Sequence, residues 1–386
     1  MRRLLIALAV VALVLLFIRA YRSGIKGPDE KGERLQINQV LGGTPAEGFL
    51  RANAPRRFIF PEDHGPHPGF RNEWWYFTGN LQGADGRRFG YQLTFFRAAL
   101  TPHPAPRTSA WGSNEIFMAH LAVTDVAGKR FRYAERFSRV APGLAWAGGR
   151  PLSIYLENWR AQETSEGPFG MRLSAADAEM ALDLNLVPVK GVVLNGEGGL
   201  SRKSAAPGNA SYYYSMPRLA SSGSIRIGGE SFRVTGLSWL DREWSTSALE
   251  KGQQGWDWFA LQLEDGRDVM FYRLRRVDGS SDPFSAGTLV AADGTTRELK
   301  REEVELKVTG WWTSPTSGAR YPSSWRMRIP AQRIDLEIVP RLADQELNTG
   351  FRYWEGAVAV RGLGGAPGGS GYLEMTGYAA DVDVGK

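Results

Sequence analysis

Short runs in which apolar and polar positions alternate recur along this chain between Gly, Asp and Asn turns. They are Trp74 to Leu81, Phe89 to Phe96, Phe117 to Val123, Ser224 to Ile227, Phe232 to Leu237, Trp256 to Leu263 and Val269 to Leu274. A period of two, bounded by turn formers, predicts half-buried antiparallel strands. No window of about 12 residues or more carries an amphipathic helix, so barrels or sandwiches are expected over α/β designs. Two stretches also read as internal copies. Trp75 to Leu81, a turn at Asp85-Gly86-Arg87 and a return through Phe89 to Leu93 match Trp256 to Leu261, Asp265-Gly266-Arg267 and Val269 to Tyr272. Asp-Gly supplies the positive-φ position that a tight hairpin requires. Further on, Gly223 to Ile227 leading to Val234 to Leu237 is echoed, in the same order, by Gly356 to Val360 leading to Met375 to Tyr378. The expectation is two similar all-β domains, residues 58–247 and 248–386, in line with the length of 386 residues.

The amino terminus changes this picture by adding export. Arg2 and Arg3 precede an uncharged apolar run from Leu4 to Ile18, the layout of a secretory signal. No small-x-small cleavage site follows, because Arg19, Tyr21 and Arg22 intervene, so an anchor helix retained in the membrane is expected over a cleaved signal. Residues 1–22 are read as that segment. Residues 23–57, rich in Gly, Pro and charges, are read as a flexible linker, and the site of action is periplasmic or in the cell envelope. Cysteine is absent, which excludes disulfides, thiolate metal sites and a thiol nucleophile. The net charge of +6 includes Arg2, Arg3, Arg19 and Arg22, and without these four it is +2, too little to mark a nucleic-acid partner.

Three polar groups among the aromatics could carry chemistry. Pro61 to Tyr76 packs His64, His67 and Glu73 beside Trp74 and Trp75, residues that could bind a ligand. Two His and one carboxylate could also supply zinc ligands. The neighbouring Pro residues favour an irregular arm in which Asp63 and His64 stabilise a turn, so neither metal nor cofactor is expected. In Gly236 to Trp244, alternation puts Trp239, Asp241 and Glu243 on one strand face and Leu240, Arg242 and Trp244 on the other. If that face points inward, burial and mutual repulsion would raise the pKa of at least one of the two carboxyls and leave it a proton donor near neutral pH; facing solvent or paired with an Arg, Asp241 and Glu243 would be ordinary. His120, within an apolar strand, is either a core residue or a catalytic one. Tyr212 and Tyr214 share a face, where they could line a cavity, donate hydrogen bonds or pack. Hydrolase elbows, zinc-protease helices, phosphate loops and dinucleotide fingerprints are missing.

The run from Phe60 to His67 and from Asn72 to Leu81, with Phe95-Phe96-Arg97, Ala119 to Asp125, Glu135 to Arg139, Trp239 to Trp244 and Gly255 to Phe259, resembles the AttH-like proteins related to carotenoid 1,2-hydratase. The resemblance covers most of residues 58–386 and implies two tandem lipocalin-like β-barrels. The family includes hydratases of acyclic carotenoids and a component encoded beside ABC transporter permeases. It therefore implies a hydrophobic ligand, a lipid or an isoprenoid, with either hydratase-like or hydrolase-like chemistry or a non-catalytic role beside a permease. Asp241 matches the catalytic aspartate of the hydratases, with Glu243 or His120 to orient water and Trp239, Tyr212 and Tyr214 to steady a carbocation. The hydratases carry His directly after that aspartate, where this chain has Arg242.

Overall fold

The computed structural model describes residues 47–106, 109–246 and 249–379. Thirteen strands form the first sheet: β1 (Asn72–Gly83), β2 (Arg88–Ala99), β3 (Glu115–Asp125), β4 (Arg130–Arg139), β5 (Ala145–Gly149), β6 (Leu152–Leu156), β7 (Trp159–Thr164), β8 (Gly170–Ala176), β9 (Met180–Pro188), β10 (Val193–Leu194), β11 (Leu200–Arg202), β12 (Ala210–Ile227) and β13 (Glu230–Ser245). Ten form the second: β14 (Gln253–Leu263), β15 (Asp268–Arg276), β16 (Ala286–Val290), β17 (Thr296–Lys300), β18 (Glu305–Thr313), β19 (Arg320–Ile329), β20 (Ile334–Pro340), β21 (Glu346–Asn348), β22 (Arg352–Gly362) and β23 (Gly369–Thr376). Both sheets are antiparallel and curl into barrels, the all-β, lipocalin-like fold expected. The seven runs recognised by alternation lie in β1, β2, β3, β12, β13, β14 and β15. The expected anchor at residues 4–18 lies outside the described residues.

Alternation along the central strands sorts each residue to one of three cores. In β1, Trp75, Phe77 and Leu81 point into the first barrel, where they meet Leu93, Phe95, Leu121, Leu240 and Trp244. In β14, Phe259 and Leu261 point into the second barrel with Trp325, Leu336 and Leu373. The intervening residues Tyr76, Tyr213, Trp239, Trp258, Tyr272 and Tyr372 meet between the barrels in a third cluster. Both barrel interiors are therefore filled by their own side chains, and the seam between them carries a separate aromatic layer.

The internal copies are structurally equivalent elements. β1 lies between β2 and β13, and β14 lies between β15 and β23. The two hairpins agree residue for residue at the turn: Gly83 and Leu263 donate to Arg87 and Arg267, and Gly86 and Gly266 donate back to Gly83 and Leu263. The second echo joins the right strands in the wrong register. Leu81 faces Gly236, which faces Ser221, while Leu261 faces Gly371, which faces Val358. Gly223 thus corresponds to Val360 rather than to Gly356, because Gly-rich strands carry little face information to fix a register.

The expected flexible linker needs correction over its last residues. Phe49 and Ala52 are buried, Leu50 N–H donates to Gly69 O, Leu50 O accepts from the Thr246 hydroxyl, and the Tyr212 hydroxyl donates to Ala54 O at 2.9 Å. Apolar side chains spaced among the Arg residues tie this stretch to the first barrel. Residues 23–46 lie outside the described residues.

Candidate functional site

Opposed residues of antiparallel strands project to the same face, so the register of β12 on β13 decides which side chains join Asp241. Tyr213 faces Glu243 and Ser215 faces Asp241, and both therefore point into the seam. There Tyr213, with Asp241 and Glu243, borders a cavity of about 170 Å³. Trp74, Tyr76 and Phe96 of the first barrel and Trp256, Trp258 and Tyr272 of the second form much of its wall, and Asp241, Glu243, Glu374 and Lys203 supply charge.

Asp241 is held by three donors. Ser215 Oγ and Trp239 Nε1 donate to Oδ1 at 2.5 and 2.6 Å, and the Tyr213 hydroxyl donates to Oδ2. Burial pushes its carboxyl up to about 7, outweighing these donors, and the nearby Glu243 adds to the rise. Oδ1 already accepts twice, so Oδ2 is the oxygen free to carry the proton. Tyr213 then accepts from Asp241 and, at 3.0 Å, from Trp258 Nε1, which turns its own proton toward the cavity it lines.

The other charges form a graded set. Glu243 accepts from Ser211 and pairs with Lys203 Nζ at 3.1 Å, and Lys203 sits 4.2 Å over the Tyr272 ring. Glu243 and the other anions nearby hold the Lys203 ammonium above its ordinary range against desolvation. Glu374 accepts from Trp256 Nε1 at 2.7 Å; burial, with the charges of Asp241 and Glu243, pushes it up to about 7. Glu355 lies deeper, bonded by the Tyr76 hydroxyl, and burial raises it well above the carboxylate range. Among the described residues its Oε2 has no hydrogen-bond partner, nor do Gln92 Oε1 and the Tyr372 hydroxyl, all buried in the same seam.

The sequence-selected residues divide by face. Asp241, Glu243, Glu73 and Trp74 border the cavity. Trp239 stands behind Asp241 as its donor and packs on Trp258. His120 is one residue removed: its Nδ1 meets the Tyr353 hydroxyl at 2.6 Å and its Nε2 meets Glu135 at 2.8 Å, while Tyr353 reaches the cavity. The expectation that Tyr212 and Tyr214 line this site is corrected. They oppose Trp244 and Arg242 across the sheet and share those residues' inward face, so they pack in the first barrel. Trp75 is buried there too, donating to His64 O at 2.9 Å.

His64 and His67 also belong to the first barrel. His64 stacks on Phe169 and bonds the Tyr214 hydroxyl at 2.6 Å; burial and the charge of Arg242 pull its pKa down to about 3 and keep it neutral. His67 stacks on Trp244, with its ring nitrogens against Asp63 and Glu73. Among the described residues no group of three or more His, Asp or Glu side chains is placed to hold a metal ion. Glu73 is an internal ion-pair centre: burial alone would raise its carboxyl, but the guanidinium groups of Arg97 and Arg242 and a bond from His67 hold it well below the usual range. Arg242, which stands where the hydratases carry His, thus faces Glu73 rather than the cavity.

Residues that sequence patterning missed are Tyr213, Ser215, Lys203, Tyr353, Glu355 and Glu374. Tyr213 and Ser215 were accessible in principle, since the alternation that selected Asp241 also selects the positions opposite it. The remaining four are brought in by packing across long stretches of chain, for which no local signal exists.

Two packed antiparallel barrels with an aromatic, carboxyl-bearing cavity at their seam define a double-barrelled lipocalin-like protein. The chain belongs to the AttH-like family, whose model matches residues 51–378. It is similar to the crystal structure of an AttH from Nitrosomonas europaea, at 35% identity and a TM-score of 0.75, over 84% of this chain and 99% of that one. Its fold is shared with kievitone hydratase from Nectria haematococca, at 16% identity and a TM-score of 0.64, over 86% of this chain and 97% of that one. Among curated proteins there is no match.

Proposed function

We propose that this exported protein binds a lipid or isoprenoid in the cavity between its barrels and adds water across a carbon–carbon double bond of that ligand, with Asp241 as the acid. The observation that carries this reading is a carboxyl pushed up to about 7, at the wall of a cavity lined by aromatic rings. A cavity near 170 Å³ is comparable to one that accepts benzene, so it suits a terminal isoprene unit whose remaining chain lies outside. The π electrons of the alkene would take the Asp241 proton, directly or through Tyr213, forming a C–H bond and a tertiary cation. The ring faces of Trp74, Tyr76 and Trp258 would stabilise that cation by about 2 kcal/mol or more when desolvated. Water would then form the C–O bond and return a proton to the Asp241 carboxylate, leaving a tertiary alcohol. Glu243 and Glu374 are placed to orient this water. The fold is also used by a protein named as a hydratase, kievitone hydratase, which makes the reading consistent with its structural neighbourhood. Export rests on Arg2, Arg3 and the apolar run after them.

The test is incubation with an acyclic carotenoid in ¹⁸O-labelled water. The expected result is a hydrated product carrying the label, formed at a rate that falls about tenfold per pH unit above pH 7 as Asp241 loses its proton. A product without label, or a rate that rises through pH 7, would sink the acid-catalysed reading. Saturable binding of the carotenoid with no turnover would favour a lipid-handling component that works beside an ABC transporter permease.

A further inference from the structure

The seam has a second end of opposite chemistry. Seam-facing positions along β1 read Trp74, Tyr76, Thr78, Asn80 and Gln82, and those along β14 read Trp256, Trp258, Ala260 and Gln262, followed by Glu264 in the turn. The aromatic ends meet at the cavity described above. The polar ends meet about 14 Å further along β1, taking four residues at roughly 3.4 Å each from Tyr76 to Asn80. They border a separate polar groove of about 360 Å³, into which Arg88, Arg218 and Arg341 also project.

The charges in this groove do not balance. Arg218 is spoken for: its Nε donates to Asp268 at 2.7 Å, a carboxylate it shares with Lys190, and its Nη2 donates to Leu263 O and Arg267 O. Arg341 and Arg88 have no carboxylate within ion-pair distance among the described residues. Arg341 is half-buried, and its two hydrogen bonds go to neutral groups, Asn80 Oδ1 at 3.3 Å and Ser370 Oγ at 2.9 Å, which leaves N–H donors of its guanidinium unused. Glu264 lines the groove but is exposed and pairs with neither. Desolvation, reinforced by the charge of Arg88, pulls the Arg341 guanidinium down to about 10, the signature of a cation that lacks a counter-ion. A neutral side chain could bridge Asn80 and Ser370 without that cost, so bridging alone does not explain an arginine here.

We propose that the groove at the polar end of the seam is a binding site for a phosphate group, held between Arg341 and Arg88. Two guanidinium groups facing one open groove match a dianion, and the planar fork of each suits an oxyanion. Asn80 Nδ2 is committed to Gly371 O at 2.9 Å, so recognition falls to the two arginines rather than to the amides. The site is independent of the chemistry proposed for the aromatic cavity and stands if that reading fails.

The experiment is calorimetric titration of the full chain at constant ionic strength in chloride, with inorganic phosphate as one probe and dihexanoyl phosphatidic acid, below its micellar concentration, as the other. Saturable 1:1 binding is expected, weakened about tenfold or more by Arg341→Met and by Arg88→Met. The Arg88 side chain makes no hydrogen bond among the described residues and its backbone bonds survive substitution, so R88M keeps the test valid if loss of the Asn80 and Ser370 bonds were to unfold R341M. Tighter binding of the phosphatidic acid would assign the site to a lipid headgroup, and equal binding to a soluble phosphate; either supports it. Failure to saturate with either probe, or folded variants that both bind like wild type, would overturn it.

Discussion

Asp241→Asn is expected to lower turnover of an alkene substrate by about 10²- to 10⁴-fold, the range for removal of a general acid. The amide keeps the shape of the carboxyl and an oxygen for Ser215 and Trp239, so the loss would be chemical. A stability measurement separates the two. The folded pKa of Asp241, about 7, lies above its unfolded value of 3.8, so the folded state holds its proton more tightly. Its contribution is full below pH 4 and is lost as pH rises through 7. The asparagine variant lacks this dependence, and its unfolding free energy should change less between pH 5 and pH 8 than that of the wild type. Equal losses of stability and turnover at pH 5 would mark Asp241 as a structural residue instead.

Glu73→Gln should have the largest effect on stability, about 3 to 5 kcal/mol, because it leaves Arg97 and Arg242 buried without their shared carboxylate. That is a fall in melting temperature on the order of 10 °C. The pH dependence has the opposite sign to that of Asp241. The Glu73 pKa is depressed, so its stabilisation is present above pH 4.5 and is lost on acidification toward the folded value. Urea unfolding at pH 7 and pH 3 measures both, and the variant should lack the acid-dependent step. Weaker ligand binding at unchanged stability would instead place Glu73 among the ligand contacts, the role its position beside Trp74 suggests in sequence.

These two carboxylates show what patterning could and could not read. Alternation put Trp239, Asp241 and Glu243 on one face, and the structure keeps them there. The identity of that face was not local information, since it depends on which barrel supplies the neighbouring wall. The aromatic hairpins and their Asp-Gly turns were legible because the two strands of each pair lie within a few residues of each other. Without the register between β12 and β13, alternation alone groups Tyr212 with Tyr214, whereas that register puts Tyr213 on the Asp241 face. Glu73 and the two His residues resemble a polar active-site cluster in sequence because a buried ion-pair network and a catalytic site draw on the same residue types. Only burial and partner geometry distinguish them: Glu73 has two guanidinium partners, whereas Asp241 has three neutral donors and, among the described residues, no ion-pair partner.

The placement of the cavity at the seam, outside both packed barrel interiors, separates two kinds of selection. Substitutions at Phe96, Trp256 or Tyr272 reshape the space a ligand meets while leaving the Trp75 and Trp325 cores untouched. A fold arranged this way can exchange one guest molecule for another in small steps, with each barrel serving as a fixed jaw and the facing surfaces as replaceable linings.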